Sequence, residues 1–173
     1  MTKRDFLKLV LSGVSAFSAG SVQATPKEPA RNAIEVDDVV FSWRHMQQHL
    51  QCHFTVPTAG WLAIGFNDRK GLAGTRFLMA VPSDPTIQPE EHLATPPTHH
   101  PVGSHGLQPV IRDIALTYQQ GQAGLALSVP HIIQQPRLLH LNPGARAFLM
   151  LAWSRAADYG HHSAWRRHFS ITL

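Results

Sequence analysis

The strongest constraint on the fold is the strict alternation of Leu50 to Val56, "LQCHFTV". Leu50, Cys52, Phe54 and Val56 are apolar or weakly polar, and Gln51, His53 and Thr55 separate them. A period of two is the signature of a half-buried strand. "VVFSW" (Val39 to Trp43) carries the same period, with Val39, Phe41 and Trp43 on one face, and "HMQQ" between the two runs reads as a turn. Pro57-Thr58-Ala59-Gly60 then turns the chain into "WLAIGF", which is apolar on both faces and is therefore expected to be a central strand. "TRFLMAV" (Thr75 to Val81) follows as another strand.

Further strands are expected at Ile114 to Tyr118 and Leu125 to Val129, joined by a Gln/Gly turn as a hairpin. The apolar run "RAFLMLAWS" and the terminal "RRHFSITL" add two more. His131 to Asn142 fits either a helical turn or a loop, and Pro143-Gly144 marks a turn. Ser83 to Pro109 is rich in Pro and His with little periodicity, and is expected to be a long functional or mobile connection with room for a short edge strand. No long segment has helical periodicity. Seven to nine short strands imply an all-β, two-sheet antiparallel β-sandwich.

The 173 residues suit one globular domain. Residues 1–24 read as a secretory signal peptide: Lys3, Arg4 and Lys8, then an apolar run, then a small residue at Ala24. The apolar run is shorter than the roughly 20 residues a bilayer requires, so no transmembrane segment is expected after signal removal. "TKRDFLK" also resembles a twin-arginine export signal, with Lys3 where the first arginine stands. Residues 25–33 are a polar lead expected to be disordered, and the domain is expected to span 34–173. A periplasmic location follows from export.

Cys52 is the one cysteine, which excludes an intrachain disulfide, a c-type haem attachment and Cys-rich metal clusters. Removing Lys3, Arg4, Lys8 and Asp5 with the signal lowers the net charge from +4 to +2. Such a mild balance, with no basic run, gives no nucleic-acid footprint. Histidine is the unusual component, with 12 residues, all beyond the signal.

The order of these parts resembles the DOMON family, named after the N-terminal domain of dopamine β-monooxygenase. The residues that carry the resemblance are "FSW", "LQCHFTVPTAGWLAIGF", "DRKGLAG", "TRFLMAV" and the C-terminal "AFLMLAWSRAADYGHHSAWRRHFSITL". The resemblance covers Ile34 to Leu173. It implies an immunoglobulin-like DOMON sandwich and, in many members, one b-type haem held by Met and His for electron transfer. Other members bind sugars or other small ligands, or act as interaction modules.

The resemblance places the family's haem Met at Leu72, which has no thioether to offer iron. It places the haem His at His161 or His162, and adjacent residues are expected to send at most one side chain into a site. Trp61, Phe66, Met79 and Trp153 complete the candidate cofactor pocket, and Trp165 is a further aromatic candidate. Met79 and Met150 also fit plain core packing, where Met fills irregular gaps. Met46 sits in a turn, and Lys70 is expected to be solvated. Asp158 is a candidate to orient an imidazole.

His92, His99, His100 and His105 form a His-rich tract of the kind that binds zinc, copper or nickel. His45, His49 and His53 are expected on one solvent face, and His168 on the face opposite Phe169. No Gly-x-Ser-x-Gly, His-Glu-x-x-His or Gly-x-x-x-x-Gly-Lys motif is present, and Asp37-Asp38 and Glu90-Glu91 are adjacent pairs whose side chains diverge. The expected function is therefore binding, not catalysis. Three readings stand: a haem b electron-transfer domain with a redox or membrane-protein partner, a haem-free module for a small ligand such as a sugar or a protein partner, and a His-rich metal binder.

Overall fold

The computed structural model describes residues 32–134 and 136–173. The expected signal peptide, and residues 25–31 of the lead, lie outside the described residues. Asn32 and Ala33, expected in the polar lead, belong to the first strand.

The chain forms β1 (Asn32–Val36), β2 (Val39–His45), β3 (His49–Val56), β4 (Leu62–Asn67), β5 (Arg76–Ala80), β6 (Glu90–Thr95), β7 (Thr98–Pro101), a 3-10 turn (Val102–His105), β8 (Arg112–Gln119), β9 (Gln122–Pro130), β10 (Ile132–Ile133), β11 (Leu139–His140), β12 (Arg146–Trp153) and β13 (Trp165–Thr172). One antiparallel sheet has the order β1-β2-β3-β9-β8 and the other β13-β12-β4-β5-β6-β7, with β10 and β11 as a two-stranded ribbon. The fold is a β-sandwich.

The alternation of the sequence becomes the inter-sheet core. Val39, Phe41, Trp43, Leu50, Cys52, Phe54 and Val56 are all buried there, facing Leu62, Ile64, Phe66, Leu78, Leu149 and Leu151 of the second sheet. "WLAIGF" does become a central strand: β4 pairs with β12 on one side and β5 on the other, and all six of its residues are buried. The β8–β9 hairpin turns at Gln120 and Gly121, with φ of 50° and 81°. Two consecutive positive φ values give a type I′ turn, whose twist matches the strands it joins.

Three expectations need correcting. The Pro/His-rich stretch holds the short edge strand it had room for, β7, but is not otherwise one long connection, since it also holds β6 and the 3-10 turn, with Ala94 paired to His99 and His92 to Pro101. Its prolines cluster at strand ends and turns, which hid the short strands. The strands among the described residues number thirteen, because two-residue pairings such as β10–β11, within His131 to Asn142, leave no periodic trace. His45, His49 and His53 do not form one solvent face. His45 ends β2 while His49 and His53 belong to β3, and His45 Nδ1 lies 3.2 Å from His131 Nε2 instead.

Candidate functional site

The six-stranded sheet has a second apolar face, turned away from the sandwich core. β4 alternates across the sheet, so Leu62, Ile64 and Phe66 enter the core while Ala63 and Gly65 face outward. The same parity puts Phe77 and Met79 of β5, Ala94 of β6, and Met150 and Ala152 of β12 on the outer face. Trp61 and Val81 join them, and Leu72, Ile87, Ala157 and Tyr159 pack on top.

This face is covered by the loop between β12 and β13. Tyr159 Oη donates to the carbonyls of Met79, at 3.3 Å, and Gln88, at 3.0 Å. Burial and the Glu90 carboxylate push its phenol pKa up to about 12, so it remains a donor. Trp61 N donates to Ala156 O, Ser154 N donates to Trp61 O, and Thr58 Oγ1 donates to Ser154 O. Gly60 lies so close to the backbone of Ser154 and Ala156 that no Cβ fits there.

Between loop and sheet lies a cavity of about 330 Å3. That size falls within the range of roughly 300–1,000 Å3 common for small-molecule and cofactor sites. Alanines at 63, 94 and 152 lie among its lining, where larger side chains would occupy the space. Trp61, Leu72, Phe77, Met79, Met150 and Tyr159 form its apolar walls, and His92, His99, His161, His162 and Arg166 add nitrogen donors and a cation. Trp61 Nε1 is buried without a hydrogen-bond partner among the described residues.

The histidines are held in different ways. His161 Nδ1 lies 3.1 Å from Asp158 Oδ2, the orienting contact expected of Asp158. Gly160 N–H and His161 hold the Asp158 carboxyl below the usual range. The backbone carbonyl of His162 accepts from Ser154 Oγ at 3.1 Å. Both residues of the pair are among those lining the cavity. His92 is 4% exposed, with Nε2 2.9 Å from Glu90 Oε2 and Nδ1 3.0 Å from His99 Nδ1. Burial lowers the pKa of both His92 and His99.

Of the expected pocket residues, Trp61, Leu72, Met79, His161 and His162 are brought together. Phe66 and Trp153 are not: both have core-facing parity, Phe66 fully buried between the sheets and Trp153 packed at the core's edge. Trp165 also packs at that edge and donates from Nε1 to Asp37 Oδ2 at 3.1 Å. Met150 joins the cavity wall, Met46 is exposed, and His168 sits across from Met150 on β13. Lys70 is exposed, as expected. His100 and His105 pair with each other at 6.1 Å between ring centroids, away from this lining.

Sequence reasoning left out Asn67 and the split roles of Glu90 and Glu91. Asn67 Nδ2 has Gly71 O, Ala73 O and Thr75 Oγ1 within reach as acceptors for its two hydrogens, which shapes the loop that presents Leu72. Glu91 points into the core to Arg76, and its Oε2 accepts from Val110 N and Ile111 N, while Glu90 points outward to His92. The divergence of adjacent residues on a strand was the legible signal for this split.

Among the described residues, no three His, Cys, Asp or Glu side chains are grouped to hold a metal ion by themselves. No helix among them is long and apolar enough to cross a membrane. The chain matches no protein-family model, and no curated protein is significantly similar to it.

Proposed function

We propose that this is an exported, periplasmic DOMON-like domain that binds one b-type haem in the outer-face cavity and carries electrons to a redox or membrane-protein partner. The observation that carries the reading is the convergence of Trp61, Leu72, Met79, His161 and His162, from four separate segments, on one cavity. Leu72, His161 and His162 stand at the positions where the DOMON resemblance implies the haem ligands, and Trp61 and Met79 are the further candidate pocket residues.

The residues present fit the group in their chemistry. Ala63, Ala94 and Ala152 leave room for the face of a flat ring. The unpartnered Trp61 N–H can donate to an acceptor on a bound ligand. Arg166 supplies a cation for ligand carboxylates, and imidazoles supply metal-ligating nitrogens. When bound, haem supplies a one-electron couple whose potential depends on axial ligands and burial. The chain's own part is to cover one side of the group with Tyr159 and to orient the imidazole of His161 through Asp158.

The test is the absorption spectrum of protein recovered from the periplasm and of apoprotein reconstituted with haem. A Soret band at one haem per chain supports the reading. Its absence after reconstitution overturns it.

One observation favours a second reading, a haem-free module for a small ligand such as a sugar, or for a protein partner. Leu72 lines the cavity where the resemblance implies a Met. Quenching of Trp61 fluorescence by a ligand, in protein that takes up no haem, would favour it.

A further inference from the structure

A carboxylate and two imidazoles fix an order of protons along one wall of the cavity. A carboxylate accepts and does not donate, so His92 Nε2, 2.9 Å from Glu90 Oε2, carries the proton. Two ring nitrogens 3.0 Å apart need one donor and one acceptor, and an imidazole with its single N–H at Nε2 offers Nδ1 as the acceptor. His99 Nδ1, 3.0 Å away, must therefore donate to it. The proton of His99 is thus committed to Nδ1, and Nε2 of this cavity-lining ring keeps its lone pair. Phe77 stacks on His92 at 5.7 Å between centroids and meets His99 edge-on at 5.3 Å, which limits rotation of both rings.

A carboxylate behind an imidazole is the arrangement that orients metal-ligating histidines and raises their basicity. Here it acts through one intervening ring. The position also matters. Gly74 N donates to Ala94 O and Ala94 N donates to Thr75 O, so the loop bearing Leu72 is tied to β6 at Ala94. Ala94 pairs with His99 across β6 and β7. His99 therefore stands one strand from the place where Leu72 offers no sulfur.

We infer that His99, through Nε2, ligates the iron of the bound haem in place of the thioether that Leu72 lacks, with Glu90 and His92 as positioning residues. The inference rests on the haem reading above. It gives the chain a nitrogen ligand from β7, separate from His161 and His162 on the β12–β13 loop.

The experiment is titration of full-length apoprotein with haemin, read by absorption and electron paramagnetic resonance, for the wild type and the variants His99→Ala, His99→Met and Glu90→Gln. Wild type is expected to give low-spin ferric haem with two nitrogen ligands. His99→Ala is expected to bind haem at least tenfold more weakly and to shift to high spin, with added imidazole restoring the low-spin form. His99→Met, which keeps a ligating side chain if the alanine variant fails to fold, is expected to show a sulfur-to-iron charge-transfer band. Glu90→Gln keeps an acceptor but loses the negative charge, and is expected to raise the reduction potential with low spin retained. A wild-type spectrum unchanged in His99→Ala or His99→Met overturns the assignment while leaving the haem reading in place. No haem uptake by the wild type overturns both.

Discussion

The two faces of the six-stranded sheet are both apolar, yet they are built from different residues. The inner face uses Leu62, Ile64, Phe66, Leu78, Leu149 and Leu151, all nearly or fully inaccessible. The outer face sets large side chains, Trp61, Phe77, Met79 and Met150, among alanines and a glycine. Branched aliphatics interlock and leave no voids. Large groups separated by Ala63, Ala94 and Ala152 leave a cavity. One strand, β4, carries both patterns at once, and this shows how a sheet can supply a rigid core and the floor of a cavity from alternate positions. Damage to the inner face should therefore cost stability, and damage to the outer face should cost binding.

The largest effect is expected at the inner face's buried ion pair. Arg76 and Glu91 are 4% and 2% exposed at their side chains, and Glu91 also accepts from Val110 N and Ile111 N. Glu91→Ala takes the carboxylate away from a buried guanidinium, which keeps the Gln108 carbonyl, and leaves the Val110 and Ile111 N–H groups without their acceptor, and should cost about 4 kcal/mol in urea unfolding. Leu151→Ala should cost about 3 kcal/mol, since Leu151 is fully buried between the sheets. Haem uptake by whatever fraction stays folded should be unchanged in Leu151→Ala. A lost cavity in that variant would break the division between faces.

Gly65 tests where the faces meet. A Cβ there would stand 2.6 Å from Phe77 Cβ and 2.9 Å from Thr75 Cγ2. Gly65→Ala should cost about 2 kcal/mol by overpacking. It should also push Phe77 against His92 and weaken ligand binding, so this position alone should register in both assays. Ala63→Leu, by contrast, fills empty space: stability should change by no more than about 1 kcal/mol, while haem uptake should fall at least tenfold. Unaltered uptake would mean that the ligand does not use this floor.

How much of this was legible depends on period. The inner face was readable because Leu50, Cys52, Phe54 and Val56 alternate with polar residues, and the continuous "WLAIGF" could only be a doubly covered strand. That same continuity hid the division of labour, since an outward Ala63 and an inward Ile64 are both simply apolar in sequence. Phe66 and Trp153 are expected in the pocket, but their parity sends them to the core side. Leu72 and His161 were placed by resemblance to a loop pattern, which survives without periodicity. The Glu90–His92–His99 series escaped because β7 is only four residues long and its pairing with β6 depends on tertiary structure.

The smallest expected effect separates two histidine pairs. His92 and His99 have Glu90 and a cavity beside them. His45 and His131 pack at the edge of the other sheet, 5.2 Å between centroids, and His45 Nε2 is buried without a partner among the described residues. Burial, and for His45 the neighbouring His131, holds both pKa values below the ordinary one. An unfolded histidine titrates near about 6.5. Above that pH both states are neutral and this pair adds no pH dependence. As the pH falls through it, the unfolded chain binds protons before the native one, so stability is lost towards the lower folded values. The urea midpoint of apoprotein should therefore drop between pH 7.5 and 5.5. His131→Gln removes one titrating ring and the repulsion on the other while keeping a polar side chain, and should make that drop shallower. An equal drop in wild type and variant would assign the acid sensitivity to the outer-face histidines instead, and so place the pH-sensitive element on the same surface as the cavity.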